Sequence, residues 1–338
     1  MAISDTKNAE VLHITPALPQ TLAADIKTQT PVHAYIFEGA EGLGKRSCAA
    51  YFVSALLCTS EIAPCKTCAQ CVQLRSGNNP DIKSLSLADI TTRKTIGADD
   101  IRNIISDCYI RPFAAKYKVY IIEDGDTLTP QAQNALLKIL EEPPAYVIFI
   151  ICTTNTGFIL PTVLSRSRVV KFAVRSDIDI QRYIASAYPH MAGNAAFIAS
   201  LCGGIPAKAD ALCGSGEILA LRGETLGMLE KLLVGINELQ IFEAAQFIDN
   251  YKSEGGDISL ILDFMLALLN DMLKLKSGVI AGLSNSDLAA RLGNTTSRCE
   301  AAAISGAADS VCIAQQMLRR NVSQRSTVLA MLIGISGQ

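Results

Sequence analysis

The segment from His33 to Ala50, HAYIFEGAEGLGKRSCAA, constrains this chain more than any other. Ala34–Phe37 is a short apolar run rich in aromatic and β-branched residues, which predicts a buried strand. Gly39-Ala-Glu-Gly42-Leu-Gly44-Lys45 follows, and then an apolar helical pattern through Ala49, Phe52, Val53, Leu56 and Leu57. Strand, glycine loop and helix in this order make a phosphate-cradling loop of the kind found in nucleotide-binding ATPases. The glycines let successive amides curl inward, the helix N-terminus adds positive potential, and Lys45 reaches the terminal phosphates. One position departs from the pattern. The Ser or Thr that should follow the lysine and hold Mg²⁺ is Arg46. Ser47 lies about 100° further round the helix and cannot simply substitute.

Composition narrows the rest. A chain of 338 residues is long enough for two or three domains with sizeable cores. The net charge of −2 argues against a broadly basic nucleic-acid binder. With 49% apolar residues, 6% aromatics and no tryptophan, the chain is rich in alanine and leucine and favours helices. The most apolar stretch, Ile258–Leu273, is broken by Asp263, Asn270 and Asp271, so no membrane span is expected. The N-terminus has no basic-then-apolar leader pattern. A soluble, cytoplasmic protein is the expectation. Four of the eleven cysteines cluster and the others are scattered singly through apolar segments, which fits a reducing compartment.

Alternating elements are expected through the first half of the chain. Helices are predicted over 20–27, 99–109 and 130–142, and strands over 34–37, 81–87, 118–122, 146–152 and 169–172. This is an α/β pattern with a mostly parallel sheet covered on both faces. Past Ser176 the strand signal disappears. Helices are predicted over 178–188, 195–201 and 206–212, then over 220–235, 239–252, 257–276, 285–291, 297–318 and 323–335, with Gly214-Ser-Gly216 as the clearest linker. Three domains follow: an α/β core over 1–173, a small helical lid over 174–215 and an all-α bundle over 216–338.

Two further motifs carry chemistry. The strand KVYII closes on Glu123-Asp124, which is where a phosphate-loop ATPase places the acids that orient Mg²⁺ and polarise water. The usual order is Asp then Glu. Here the longer side chain would crowd the metal and the shorter one would stop short of the water. Cys58, Cys65, Cys68 and Cys71 have the spacing of a tetrahedral thiolate site, so a structural Zn²⁺ module is expected over 58–71. A redox pair or an iron–sulfur cluster is the alternative use. The remaining cysteines, Cys48, Cys108, Cys152, Cys202, Cys213, Cys299 and Cys312, are expected to be small core residues.

Asn134-Ala-Leu-Leu-Lys138-Ile-Leu-Glu141-Glu142-Pro-Pro144 and Leu160-Pro-Thr-Val-Leu-Ser165-Arg166-Ser167 complete the set. With the glycine loop and the cysteine module, in this order and at these distances, the chain closely resembles the clamp-loader branch of the AAA+ family, subunits of bacterial DNA polymerase III. The resemblance covers roughly residues 17–215. It extends to the C-terminal bundle only by length, helicity and the final segment LRRNVSQRSTVLAMLIGI.

The resemblance implies a fold and a set of roles. The fold is an AAA+ core with an inserted zinc module, a helical lid and a C-terminal collar that oligomerises. ATP with Mg²⁺ would lie between one subunit's glycine loop and the next subunit's Ser-Arg-Cys motif. Arg166 falls at that motif's arginine, here within Ser-Arg-Ser, and would act in trans on a neighbour's γ-phosphate. Thr153 or Thr154 falls at the sensor position. The lid arginine that senses ATP in cis falls near Ala207, with Lys208 adjacent. Implied partners are a gamma/tau-type motor and a delta-type wrench in a hetero-pentamer, and through them the sliding clamp and primed DNA.

The departures from the pattern group together. Arg46, the inverted Glu123-Asp124 pair and Ala207 all weaken the chain's own ATP site, whereas the donated Arg166 is intact. The expectation is a non-hydrolysing stator subunit. One alternative is an active ATPase motor, against which Arg46 argues. Another is a zinc-dependent nucleic-acid-binding module with a vestigial glycine loop, but Lys66 and Arg75 are the only cations near its cysteines. DNA contact would go to phosphates, through residues such as Arg93, Lys94 and Arg111.

Overall fold

Five short strands, the three central ones apolar runs in the sequence, pair in parallel in the order β2-β3-β4-β1-β5. They are β1 (Ala34–Glu38), β2 (Ile82–Leu85), β3 (Lys118–Ile122), β4 (Val147–Thr153) and β5 (Arg168–Lys171). The computed structural model describes residues 18–90, 93–234, 238–320 and 322–336. Residues 1–16, which carry little pattern, lie outside the described residues.

Helices cover both faces of the sheet, which is why its central strands read as continuous apolar runs. They are α1 (Gln20–Thr28), α2 (Lys45–Leu57), α3 (Ala69–Arg75), α4 (Ala98–Cys108), α5 (Pro130–Glu141) and α6 (Pro161–Leu164). Alternate strand residues sort the two cores. Ile36, Tyr120, Ile122, Phe149 and Ile151 pack with Ile101, Leu136 and Ile139 on one face. Tyr35, Phe37, Val119, Ile148 and Ile150 pack with Leu22, Phe52 and Val53 on the other. Pro130 opens α5 behind Thr129, whose hydroxyl accepts the Ala132 N–H, and the Pro143-Pro144 pair stops it.

Strand β1 lies between β4 and β5, not beside β2, so the chain changes direction across the sheet there. Open parallel sheets leave a crevice beyond the carboxyl ends of their strands at such a point. Gly39 opens the loop in that position. A Cβ on it would sit 2.5 Å from the Phe172 carbonyl oxygen, so only glycine lets the loop start against the continuation of β5.

The chain divides into two compact units, Met1–Val174 and Arg175–Gln338. The second is wholly helical among its described residues. Its helices are α7 (Asp177–Ala187), α8 (Ala195–Cys202), α9 (Pro206–Gly214), α10 (Ile218–Val234), α11 (Glu238–Ser253), α12 (Ile258–Lys276), α13 (Ala289–Arg298), α14 (Ala301–Arg319) and α15 (Gln324–Ser336). One apolar cluster runs from Ile180 in α7 to Ile335 in α15. Phe197 of α8 meets Phe264 of α12 at 5.3 Å between ring centroids. Arg222, almost fully buried, stacks on Phe197 at 4.4 Å and bonds Asn194 Oδ1 (3.2 Å) and the Asp287 carboxylate. Asp271, which interrupts the most apolar stretch of the sequence, is fully buried. It accepts N–H bonds from Ser284 (3.1 Å) and Asn285 (2.7 Å), so it is neither exposed nor unpaired.

Two expectations are corrected here. The break expected between 291 and 297 is absent: α13 is one helix through Arg298, with Leu292, Thr295 and Thr296 on its buried face. Cys312 is exposed on α14, because the helix turns that position away from the core that Val311 and Ala314 enter. The other six scattered cysteines are buried.

Because Phe197 and Phe264 share one core, Phe264→Ala should cost about 3–5 kcal/mol of stability. Hydrogen exchange should accelerate in α8 as well as in α12. Protection unchanged in α8 would show that the two helices do not unfold together.

Candidate functional site

The glycine loop leaves β1 at Glu38 and enters α2 at Lys45. Gly44 has φ 82°, in the left-handed region, and no side chain caps the helix that follows. The first intrahelical acceptor is the Gly44 carbonyl, which takes the Cys48 N–H at 2.8 Å. The Lys45, Arg46 and Ser47 amides at the head of α2 therefore have no acceptor within the helix. Lys45 Nζ turns back onto the loop, donating to the Gly39 carbonyl and to the Ala40 carbonyl at 3.0 Å. Burial holds its pKa below the ordinary lysine value.

Arg46 does not simply project into solvent. Its Nη1 lies 3.0 Å from Glu123 Oε2, so the residue at the metal-ligand position of the loop is bonded to the first acid at the end of β3. Burial pushes the Glu123 carboxyl up to about 7, and the Arg46 guanidinium opposes that shift. Asp124 faces elsewhere: its Oδ2 accepts the Leu87 N–H at 2.7 Å, which ties it to the segment after β2. The two positions that would share a magnesium ion in an active phosphate-loop enzyme are joined to each other, and the second acid is already occupied. These residues do not fit Mg²⁺.

Thr153 ends β4 and Thr154 follows it, beside the start of the loop, where the Gly39 N–H donates to the Thr153 carbonyl at 3.1 Å. The Thr153 hydroxyl donates to Asp126, which also accepts the Thr154 N–H (2.9 and 3.0 Å to its two oxygens). Glu38 accepts from the Thr156 N–H (3.0 Å) and hydroxyl (2.8 Å), and these bonds hold its carboxyl below the usual range. Asp126 and Glu38 were not among the residues read from the sequence. Glu38 ends β1 and Asp126 lies in the short turn after β3, positions that many structural carboxylates share.

Arg166 follows α6 on the same unit and is bonded away from the glycine loop. Its Nη2 lies 2.7 Å from Glu141 Oε1, and its Nη1 donates to the Thr162 carbonyl (2.9 Å) and to Ser165 Oγ (3.2 Å). Buried Gln133 anchors the segment that carries it, donating to the Phe158 carbonyl at 2.9 Å and accepting the Leu160 N–H at 2.7 Å. The guanidinium keeps about a third of its surface exposed. Ala207 and Lys208 are exposed in α9. Of the cations weighed for DNA contact, Arg93 is held by Asp100 at 2.9 Å, whereas Lys94 and Arg111 are exposed.

The four cysteines converge. Cys58, at the end of α2, and Cys65, Cys68 and Cys71, around the start of α3, bring their sulfurs within 4.8 Å of one another. Backbone N–H groups point at them: Cys65 N lies 3.3 Å from Cys58 Sγ, and Cys68 N lies 3.2 Å from Cys65 Sγ. A tetrahedron of ~2.3 Å metal–sulfur bonds places sulfurs ~3.8 Å apart, and Cys58 Sγ to Cys68 Sγ is 3.9 Å. Hydrogen bonding from Thr67 and from the Cys68 amide lowers the Cys65 thiol to about 5, whereas burial raises Cys71 to about 12. The arrangement fits one tetrahedral metal ion with all four positions taken by sulfur, which leaves no open coordination site for catalysis.

Comparison with known proteins agrees over most of the chain. Residues 14–176 match the family described as DNA polymerase III, delta subunit, and residues 228–329 match the C-terminal family of the same description. The DNA polymerase III subunit tau of Bacillus subtilis (strain 168) is 31% identical over 264 residues, 72% of this chain and 46% of its own length. The gamma/tau subunit of Mycobacterium tuberculosis (strain ATCC 25618 / H37Rv) is 36% identical over 142 residues, 41% of this chain and 24% of its own. The chain thus spans between a quarter and a half of these relatives. A solved DNA polymerase III gamma subunit-related protein from Thermotoga maritima covers 94% of this chain and 98% of its own, at 19% identity and a TM-score of 0.41.

The Arg46–Glu123 pair makes a pH-dependent prediction. Glu123 titrates near 7 in the folded chain, against 4.5 for its ordinary value. The native state therefore holds the proton more tightly than the unfolded state, and stability falls as pH rises through that window. Arg46 limits the fall. Arg46→Ala should cost about 1 kcal/mol at about pH 8, the size expected of a half-exposed pair, and close to nothing at about pH 5.5. Denaturant titrations at the two pH values check this, and an equal loss at both would exclude an ionic origin.

Proposed function

Since this chain belongs to the clamp-loader subunit family of DNA polymerase III, with its AAA+ core, we propose that it is a delta-prime-type stator. In this reading it completes a neighbour's ATP site and turns over no ATP itself. The observation that carries the reading is the Arg46–Glu123 ion pair at 3.0 Å. Hydrolysis in this family needs a hydroxyl and a carboxylate on Mg²⁺ and a second carboxylate on the attacking water. Here a cation fills the hydroxyl's place, the first carboxylate neutralises that cation, and the second bonds the Leu87 amide. Arg46→Ser would not restore turnover, because Asp124 stays committed elsewhere.

Arg166 retains the chemistry for donation in trans. A planar, permanently charged guanidinium makes two parallel hydrogen bonds to phosphate oxygens, which an ammonium cannot. Nη1 is held by its own turn, so the head group is presented in a defined orientation, while the contact with half-exposed Glu141 is of a kind that costs little to break. Residues 174–215 then serve as the lid and 216–338 as the collar. The partners in the cytoplasm are gamma/tau-type and delta-type subunits, with the sliding clamp and primed DNA reached through the assembly. The four-cysteine module takes Zn²⁺ as a structural ion.

Three outcomes are expected. Purified protein should contain about one zinc per chain, and Cys68→Ser should lose the metal and lower the melting temperature; metal analysis and a thermal melt check these. The isolated chain should hydrolyse ATP only at background, and turnover at motor rates would overturn the stator reading. Arg166→Ala should leave folding, zinc and assembly intact, yet reduce DNA-dependent ATPase and clamp loading by the reconstituted complex. A trans arginine is worth roughly 10³–10⁵ at one site, and the whole complex loses less because its other interfaces keep their own. Arg166→Lys should resemble the alanine variant. Unchanged activity in an assembled complex would leave Arg166 an ordinary surface charge.

A further inference from the structure

A stator that turns over no ATP could still bind a nucleotide at its glycine loop. A phosphate-loop protein ordinarily binds its nucleotide as a magnesium complex, with the ion held between the residue after the lysine and the acid on the neighbouring strand. In this chain those two positions are Arg46 and Glu123, and they are bonded to each other. The phosphate-binding parts around them are retained. Gly44 sits in the left-handed region, α2 begins with no side-chain cap, and the amides at its head have no intrahelical acceptor. Lys45 occupies its usual place and satisfies its ammonium on the loop carbonyls. The arginine is half-exposed and spends one nitrogen on Glu123, and a guanidinium carries five N–H donors. The metal's position has been converted and the anion's has not.

From this we propose that the loop binds a nucleoside polyphosphate as the metal-free anion, with the Arg46 guanidinium standing where the divalent cation would stand. Arg46 and Lys45 supply two fixed positive charges beside the uncapped helix end, and the two outer phosphates carry most of the ligand's negative charge. Glu123 has the role of a tether. It fixes one nitrogen of the guanidinium and competes with phosphate for its donors. The site then needs no Mg²⁺ to bind and has none with which to activate water. Binding without turnover follows from the same ion pair. The proposal rests on reading this loop as the chain's own nucleotide site within the stator assignment, but the assignment does not require any nucleotide to bind.

The test is direct titration of the full-length chain with ATP by isothermal calorimetry. One buffer is stripped of divalent ions by resin treatment and the other contains excess Mg²⁺. A chelator is avoided because it would also extract metal from the cysteine module, and metal content is checked after each run. Wild type should bind with an affinity that differs by no more than about threefold between the two buffers. Arg46→Ser should weaken binding about tenfold or more in the metal-free buffer, the size of one charge-assisted hydrogen bond, and recover part of it with Mg²⁺. Glu123→Gln should shift affinity the other way, tightening metal-free binding by releasing the guanidinium. Opposite signs from two residues of one ion pair are not expected from a loss of folding, which thermal melts of both variants monitor. Saturable binding only with Mg²⁺, or no binding in either buffer, would overturn the proposal. Neither result touches the stator reading, which is judged by turnover of the isolated chain and by the Arg166 variants.

Discussion

Strand β1 is paired on both sides, with β4 and β5, and Ala34–Phe37 are all buried. That double pairing gives the carboxyl end of β1 no freedom to move relative to its neighbours. The glycine loop starts from this fixed point, Thr153 ends the adjacent strand beside it, and Glu38 bonds the Thr156 turn. The Phe172 carbonyl closes on Gly39 so tightly that no side chain fits. A loop anchored this way keeps its shape whether or not the residues around it still perform chemistry. The shape of the glycine loop is therefore physically independent of which residues stand at Arg46 and Glu123.

The Arg46–Glu123 pair is compatible with the same fold. Placing an arginine beside a partly buried carboxylate stabilises the charge that burial would otherwise penalise. Changing either partner alone would leave the other unbalanced, so the two behave as a unit. Asp124 and Asp126 follow the same logic. Each carboxylate that could serve a metal or a water already accepts a backbone N–H, from Leu87 and Thr154 respectively. The acids at the end of β3 now work as structural acceptors that join β2, β3 and β4.

The cysteine module and the region around Arg166 solve a different problem, holding short connecting segments in place. The segment between α2 and α3 buries few apolar side chains, and Ile62 is almost fully exposed. Convergent sulfurs with inward-pointing amides compensate for that missing burial. Near Arg166 Gln133 acts from within α5, its amide bonding the Leu128 carbonyl on one loop and Phe158 and Leu160 on another. Near Arg166 these polar contacts add to the packing of Ile159 and Val163 into the sheet core, whereas no residue between Cys58 and Cys68 is fully buried.

The sequence by itself determined the alternation of strands and helices, the parallel sheet, the helical second half, the glycine loop and the four-cysteine cluster. These depend on local periodicity, on glycine at fixed offsets and on spacing within one turn, all of which are written along the chain. It also singled out Arg46 and Glu123, but only as two separate departures from a pattern. Their meeting was decided by tertiary structure, because the sheet order places β4 between β1 and β3, and no residue spacing encodes which side chains then face one another. The same holds for Glu141 against Arg166, Asp126 under Thr153, and Arg222 stacked on Phe197. Helix ends that rest on tertiary packing, such as the continuity of α13, and the outward turn of Cys312 were likewise settled by the fold. A helix face is buried or exposed according to what packs against it, and that neighbour lies elsewhere in the sequence.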